Sequence, residues 1–237
     1  MKLSAPVYRL KRKAKELARK DAIPLHLALD RVALGEGFGA WSLLAAKSAE
    51  TLSAEGLLAR LEPGDLLLIG ARPGHGKTLL SLQLAVEAMK AGRRAVFFTL
   101  EYTAKDTLGR FRALGVEPAQ FEALFTFDDS DAISAGHITR ALANAPRGTL
   151  AIVDYLQLLD QKRGNPELAD QIRDLKAFAQ ARGMILAFIS QIDRSYEPAL
   201  KPCPDFADVR LPNPLDLSLF SKSCFLHEGE IRFRAAG

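Results

Sequence analysis

Ala71-Arg72-Pro73-Gly74-His75-Gly76-Lys77-Thr78 is the stretch on which the reading of this 237-residue chain turns. It stands between Leu66–Gly70, a continuous apolar run typical of a strand buried on both faces, and a helical pattern from Lys77 to about Ala91 that Gly92 ends. Small residues in such a loop let successive backbone N–H groups wrap the oxygens of a phosphate. The helix that opens there points its positive end at the same anion. The pattern is that of a Walker A loop, with Ala71 where glycine is usual. The candidate phosphate cradle is Ala71, Arg72, Pro73, Gly74, His75, Gly76, Lys77, Thr78 and Leu79. Lys77 would reach the β- and γ-phosphates of a nucleotide, and Thr78 would ligate Mg2+ through its hydroxyl. Arg72 is expected to contact the nucleotide or to stay in solvent, and His75 to fill a tolerant loop position.

Working outward, apolar strands alternate with helical patterns. Strands are expected at Ala95–Leu100, Leu124–Phe127, Leu150–Asp154 and Met184–Ser190, and helices at Lys105–Leu114, Ile138–Asn144 and Pro166–Arg182. Apolar stretches follow at Ser218–Leu226 and Ile231–Phe233, and the proline-rich residues 196–214 read as a long exposed loop. The alternation predicts an α/β fold whose mainly parallel central sheet is flanked by helices. A metal-bound nucleotide needs a carboxylate, and Asp154 ends the apolar strand Leu150-Ala-Ile-Val-Asp154 in the Walker B manner. Hydrolysis needs a group that deprotonates water. Glu101 follows the strand Ala95–Leu100 at the sheet edge where ligands gather, though it could equally be a charge favouring the next helix. Gln191, in Ser190-Gln191, could contact a γ-phosphate or be satisfied by backbone.

The first 50 residues read differently. Residues 8–20 form a helical pattern with Leu10, Ala14 and Leu17 on one face, and Asp21 is placed to cap a second helix carrying Leu25, Leu29 and Val32. Trp41–Ala49 reads as a third, with Trp41 as a core plug. The expected organisation is a basic helical appendage over 1–50 and an α/β domain over 51–237. Residues 1–20 hold eight basic side chains against Glu16 alone, a local charge of +7. The whole chain carries +4, so the rest carries −3. Such a segment suits an anionic partner such as nucleic acid, or is simply a solvated helix. Cys203 and Cys224 have no metal spacing, and the four histidines form no metal set. The apolar runs are too short for a membrane span, no signal-peptide pattern opens the chain, and a reducing cytoplasm is the expected setting.

Taken together, Glu62-Pro-Gly-Asp65 through Thr78, Thr99-Leu-Glu101, Val153-Asp-Tyr-Leu-Gln-Leu158 and Ser190-Gln-Ile-Asp-Arg194 resemble the ATPase region of bacterial replicative helicases of the DnaB type. The resemblance spans roughly residues 55–234, with the motifs in the right order. It implies a RecA-like P-loop NTPase that uses ATP and Mg2+ and moves on single-stranded DNA, usually as a ring of six. It also implies that Lys77 and Thr78 hold phosphate and Mg2+, Asp154 orders the metal, Glu101 is the general base and Gln191 senses the γ-phosphate. That family places a basic pair on a late strand, reaching the next subunit's site. Ile231-Arg-Phe-Arg234 has that spacing, which makes Arg234 the candidate finger and Arg232 its partner. The Asn-Gly pair that usually follows reads Ala235-Ala236.

DNA contact is expected at Lys162 and Arg163 after the Asp154 strand, and at Lys201 and Arg210 in the proline-rich loop, although both segments suit solvated surface as well. Three readings remain: an ATP-driven helicase-like motor, a regulatory or accessory ATPase of the same fold without unwinding, and a module that docks on a helicase.

Overall fold

In a computed structural model the chain is described over residues 3–5, 7–44, 52–160, 164–197, 201, 203–211, 213–227 and 230–235. It divides into two compact units, Met1–Ser53 with Glu228–Glu230, and Ala54–His227 with Ile231–Gly237.

In the first unit, α1 (Val7–Lys20) and α2 (Leu25–Gly35) bury Leu10, Ala14, Ala28, Val32 and Ala33 against Leu44, and Trp41 packs partly buried on that core. Residues 41–44 are helical, and the remainder of the expected third helix lies outside the described residues. Asp21 does not cap α2. Pro24 holds the N-cap position, and Asp21 instead accepts from Arg31 Nη1 at 3.2 Å. The reason is spacing: proline's fixed φ suits the entry to a helix, and it starts α2 four residues beyond Asp21.

The second unit opens with the short α3 (Ala54–Leu58). It continues β1 (Leu66–Ala71), α4 (Lys77–Lys90), β2 (Ala95–Thr99), α5 (Ala104–Ala113), β3 (Phe125–Asp128), α6 (Ala135–Ala141), β4 (Leu150–Asp154), α7 (Leu168–Arg182), β5 (Ile185–Gln191), β6 (Lys222–His227) and β7 (Glu230–Ala235). The seven strands form one sheet in the order β3-β2-β4-β5-β1-β6-β7, with β1 through β6 joined in parallel. β1, β2 and β4 are buried throughout, which is why their sequences are continuous apolar runs rather than alternating ones. Alternate residues still serve different faces. Leu66, Leu68, Val96, Phe98, Ala151, Val153, Leu186 and Phe188 meet α6 and α7. Leu67, Ile69, Phe97 and Ile152 point the other way, on the side crossed by α4.

Two expectations differ from the structure. α6 starts three residues earlier than expected because Ser134 caps it, its side chain accepting from the His137 amide. The described residues of 196–214 are not exposed throughout. Tyr196, Cys203 and Val209 are buried, Ile192 and Val209 form an antiparallel bridge, and Phe206 meets the Phe225 ring edge-on at 5.7 Å. Prolines stop regular structure there, but the apolar residues between them still seek cover.

Candidate functional site

Parallel register brings the ends of four strands to one edge. Ala71 lies opposite Gln191, Gly70 opposite Ser190, Asp154 opposite Ile189, and Thr99 opposite Asp154. β5 therefore stands between the strand that feeds residues 71–78 and the strand that ends in Asp154. The carboxyl edge of such a sheet is where ligands bind in open α/β folds.

The loop after β1 owes its shape to glycine. Gly74 and Gly76 adopt φ of +79° and +88°, a region other residues enter only with strain, and Gly76 is the N-cap of α4. A Cβ on either would meet nothing within 4 Å, so both face open space. Gly70 is glycine for a different reason: a Cβ there would lie 2.7 Å from the Phe225 ring. The amides of Lys77, Thr78 and Leu79 open α4 and have no partner within the helix, and no side chain caps them. They are donors aimed at a space with room for an anion.

Asp154 is fully buried, and its Oδ2 accepts from Thr78 Oγ1 at 3.2 Å. Its Oδ1 is buried with no hydrogen-bond partner. Burial first, then the negative charge of Glu101, raises its carboxyl to about 6, against the pull of the Lys77 ammonium and the Thr78 hydroxyl. A carboxylate oxygen left bare in the interior is costly unless a cation or a proton serves it. Asp154 and Thr78 thus fit Mg2+: hard oxygen donors, one of them unspent. Glu101 itself is exposed, two residues beyond β2, with its amide held by Thr99 Oγ1 at 3.0 Å. Gln191 ends β5 half-buried.

Arg72 is half-buried and held by the fold rather than left in solvent. Its Nη2 donates to the carbonyls of Tyr196 at 2.6 Å and Arg194 at 3.3 Å, and the guanidinium lies 5.3 Å from the Tyr196 ring centre. Nor does His75 merely fill space, since its ring stacks on His227 at 5.6 Å, and His227 meets Tyr196 edge-on. The loop after β1 is thereby fastened to the segment that follows β5. Gln157, in the turn after β4, ties that strand to the same segment, its Nε2 donating to the Arg210 carbonyl at 2.7 Å. Sequence reasoning assigned Gln157 no role, although it lies within a quoted motif. Nor did sequence reasoning find Arg110, stacked 4.4 Å over Tyr102 beside Glu101.

Some expected residues stay apart. Arg232 and Arg234 lie on β7 at the sheet's far edge, and no contact among the described residues joins them to Lys77, Thr78 or Asp154. Lys162 and Arg163 lie outside the described residues. Lys201 is spent within the fold, 2.7 Å from Asp205 and 2.6 Å from Asp208, so its charge answers those carboxylates rather than solvent. Arg210 is exposed. Among the described residues no His, Cys, Asp and Glu group has metal-binding geometry, and no helix is long and apolar enough to cross a membrane.

Three comparisons place this geometry. Residues 55–202 match the family described as "ATPase: KaiC". A probable plasmid replicative DNA helicase of Chlamydia trachomatis serovar L2 is 26% identical over 180 residues, 63% of this chain and 40% of the relative. The replicative DNA helicase DnaB of Pasteurella multocida is 26% identical over 186 residues, covering 64% of this chain and 40% of that protein. The chain thus spans about two-fifths of the length of these relatives. Among solved structures, one described as an ATPase domain superposes with TM-score 0.59 at 21% identity, covering 78% of this chain and 80% of that one. A DnaB-like replicative helicase, solved in a study of its interactions with primase, gives TM-score 0.58 at 20% identity over 92% and 65% of the two chains. A buried-strand sheet with a glycine loop after β1 and a carboxylate ending β4 suits the RecA-like fold of these neighbours, and the chain belongs to the KaiC family of ATPases, with homology to the ATPase region of DnaB-type replicative helicases.

Proposed function

We propose that this chain hydrolyses ATP as a RecA-like motor domain acting on single-stranded DNA in the cytoplasm, assembled as a homo-oligomer of six. The observation that carries the ATPase reading is the bare Asp154 Oδ1, buried beside the Thr78 hydroxyl at the uncapped start of α4. In this reading residues 71–79 cradle the triphosphate and Lys77 meets its β- and γ-phosphates. Thr78 and Asp154 would hold Mg2+, which neutralises charge on the phosphate oxygens. Glu101 takes the proton of the attacking water, and its exposure leaves it free to reach that water. Gln191, at the end of the strand between loop and carboxylate, contacts the γ-phosphate. Arg234, with Arg232 beside it, acts on a neighbouring copy's site, where its charge would steady the γ-phosphate in the transition state. Their place on the last strand, at the sheet edge away from β4, supports that assignment.

A second reading is a regulatory ATPase that does not unwind DNA. It gains support from Lys201, whose ion pairs remove one expected DNA contact. Steady-state ATP hydrolysis with and without single-stranded DNA, at two salt concentrations, separates the two. The motor predicts stimulation by DNA that fades with salt, and loss of turnover in Lys77→Ala. Turnover indifferent to DNA would favour the regulatory reading. ATP binding without turnover would favour a module that docks on a helicase.

A further inference from the structure

We infer that the N-terminal helical unit carries a second ligand site, in which the outer face of α1 binds the sugar-phosphate backbone of nucleic acid without a bound nucleotide. The helix holds Arg9, Lys11, Arg12, Lys13, Lys15, Arg19 and Lys20 against Glu16. All seven cations are exposed. Among the described residues Glu16 engages Arg12 alone, at 3.6 Å, and Lys13 lies near Glu36. No ion pair among the described residues engages Arg9, Lys11, Lys15, Arg19 or Lys20. At about 100° per residue the seven side chains cover about 200° of the helix circumference, opposite Leu10 and Ala14. Over a rise of about 17 Å they place about one positive charge per 2.4 Å. Duplex DNA carries about one phosphate per 1.7 Å, so the two densities are comparable.

The other polyanions fit less well. A helix that lies on a membrane sinks its apolar face into the lipid. Here that face is spent, because Leu10 and Ala14 are buried in the unit's own core. An acidic protein partner would want an apolar or aromatic anchor among the charges. The exposed large hydrophobic side chains among the described residues all lie elsewhere than on α1. What the described side chains of this face offer is charge, which suits a sequence-independent phosphate contact. The excess is also local, since the rest of the chain is net negative.

The test is fluorescence anisotropy of the full chain, without nucleotide, against labelled single-stranded DNA and a duplex of the same sequence. The triple variant Lys11→Gln, Lys15→Gln, Arg19→Gln removes three unpaired charges along one ridge and keeps good helix formers. It should bind ~10–100-fold more weakly, and its salt dependence should be shallower by about 3 for duplex and about 2 for single strand. The charge-keeping variant Lys11→Arg, Lys15→Arg, Arg19→Lys should bind as wild type, and circular dichroism of both verifies the fold. Unequal affinity for the two DNA forms identifies which backbone the face prefers. Undiminished binding by the glutamine variant would overturn the proposal. So would binding that disappears in Lys77→Ala, or co-sedimentation with phosphatidylserine vesicles in place of DNA. Because the assay contains no ATP, its failure leaves the ATPase reading standing, and loss of turnover leaves this one standing.

Discussion

Two segments leave the same edge of the sheet from neighbouring strands and treat their polar groups in opposite ways. Residues 71–78 follow β1, and residues 192–211 follow β5, the strand paired with it. In the second segment many polar groups are answered from within. The Tyr196 hydroxyl donates to the Lys201 carbonyl at 2.8 Å, the Asp193 amide to Asp208 at 2.7 Å, and the Arg210 amide to Gln191 at 2.8 Å. The Asp205 carboxyl is held below the usual range, chiefly by the Lys201 hydrogen bond. In the first segment the helix-opening amides are unspent and the carboxylate below them keeps a bare oxygen. Satisfied groups build a scaffold, whereas unsatisfied buried ones carry a free-energy cost that a ligand relieves. The difference therefore separates the place that holds from the place that is held.

The sharpest way to break this contrast is at Glu101, which is exposed and contributes charge near Asp154. Glu101→Gln should lower turnover about 10²–10⁴-fold, the usual worth of a positioned base, with Mg-ATP affinity within a few-fold of wild type. Single-turnover hydrolysis beside equilibrium nucleotide titration checks it, and equal loss of both quantities would remove Glu101 from the role of base.

Asp154 comes next. Its carboxyl titrates at about 6 in the fold, against about 3.9 for a free side chain. The folded state therefore holds the proton more tightly. The stability this gives is present below about pH 4 and lost as pH rises through about 6, about 3 kcal/mol in all. At about pH 7.5 Asp154→Asn should then raise the melting temperature of the nucleotide-free protein by several degrees while ending Mg2+-dependent nucleotide binding. In the wild type, that binding should weaken as pH falls below about 6, because the metal needs the ionised carboxylate. A variant that is destabilised and still binds Mg-ATP would contradict the reading of the bare oxygen.

The smallest effect is expected at Arg72, the tie between the two segments. Arg72→Ala removes two donations to backbone carbonyls and a cation–ring contact, together worth about 1–3 kcal/mol. Hydrogen exchange should show faster opening at 194–211 with the sheet unchanged. If exchange there is unaltered, the two segments are fastened by the His75–His227–Tyr196 rings instead.

The strand-loop-helix around Lys77 was legible because it is local. An apolar run, glycines at obligatory positive φ and an adjoining helical pattern need no distant partner to be recognised. The same holds for the apolar strand that ends in Asp154. Arg72 was illegible for the opposite reason. Its partners are carbonyls 122 and 124 residues away, and carbonyls have no sequence signature. The burial of Tyr196 and Val209 within a proline-rich stretch was hidden likewise, since composition reports what a segment cannot form rather than what covers it.

The sequence by itself determined the alternation of strand and helix, the glycine-bearing loop between β1 and α4 and the separation of a basic helix from a net-negative remainder, because each rests on periodicity, backbone conformation or charge along a few consecutive residues. Only the tertiary structure decided that β5 is inserted between the loop strand and the Asp154 strand, that Asp154 keeps one oxygen bare, and that Lys201 is neutralised while five of the α1 cations have no ion pair among the described residues. Those outcomes depend on which strands pair and what then lies near a charge, and pairing is settled by packing across the whole sheet.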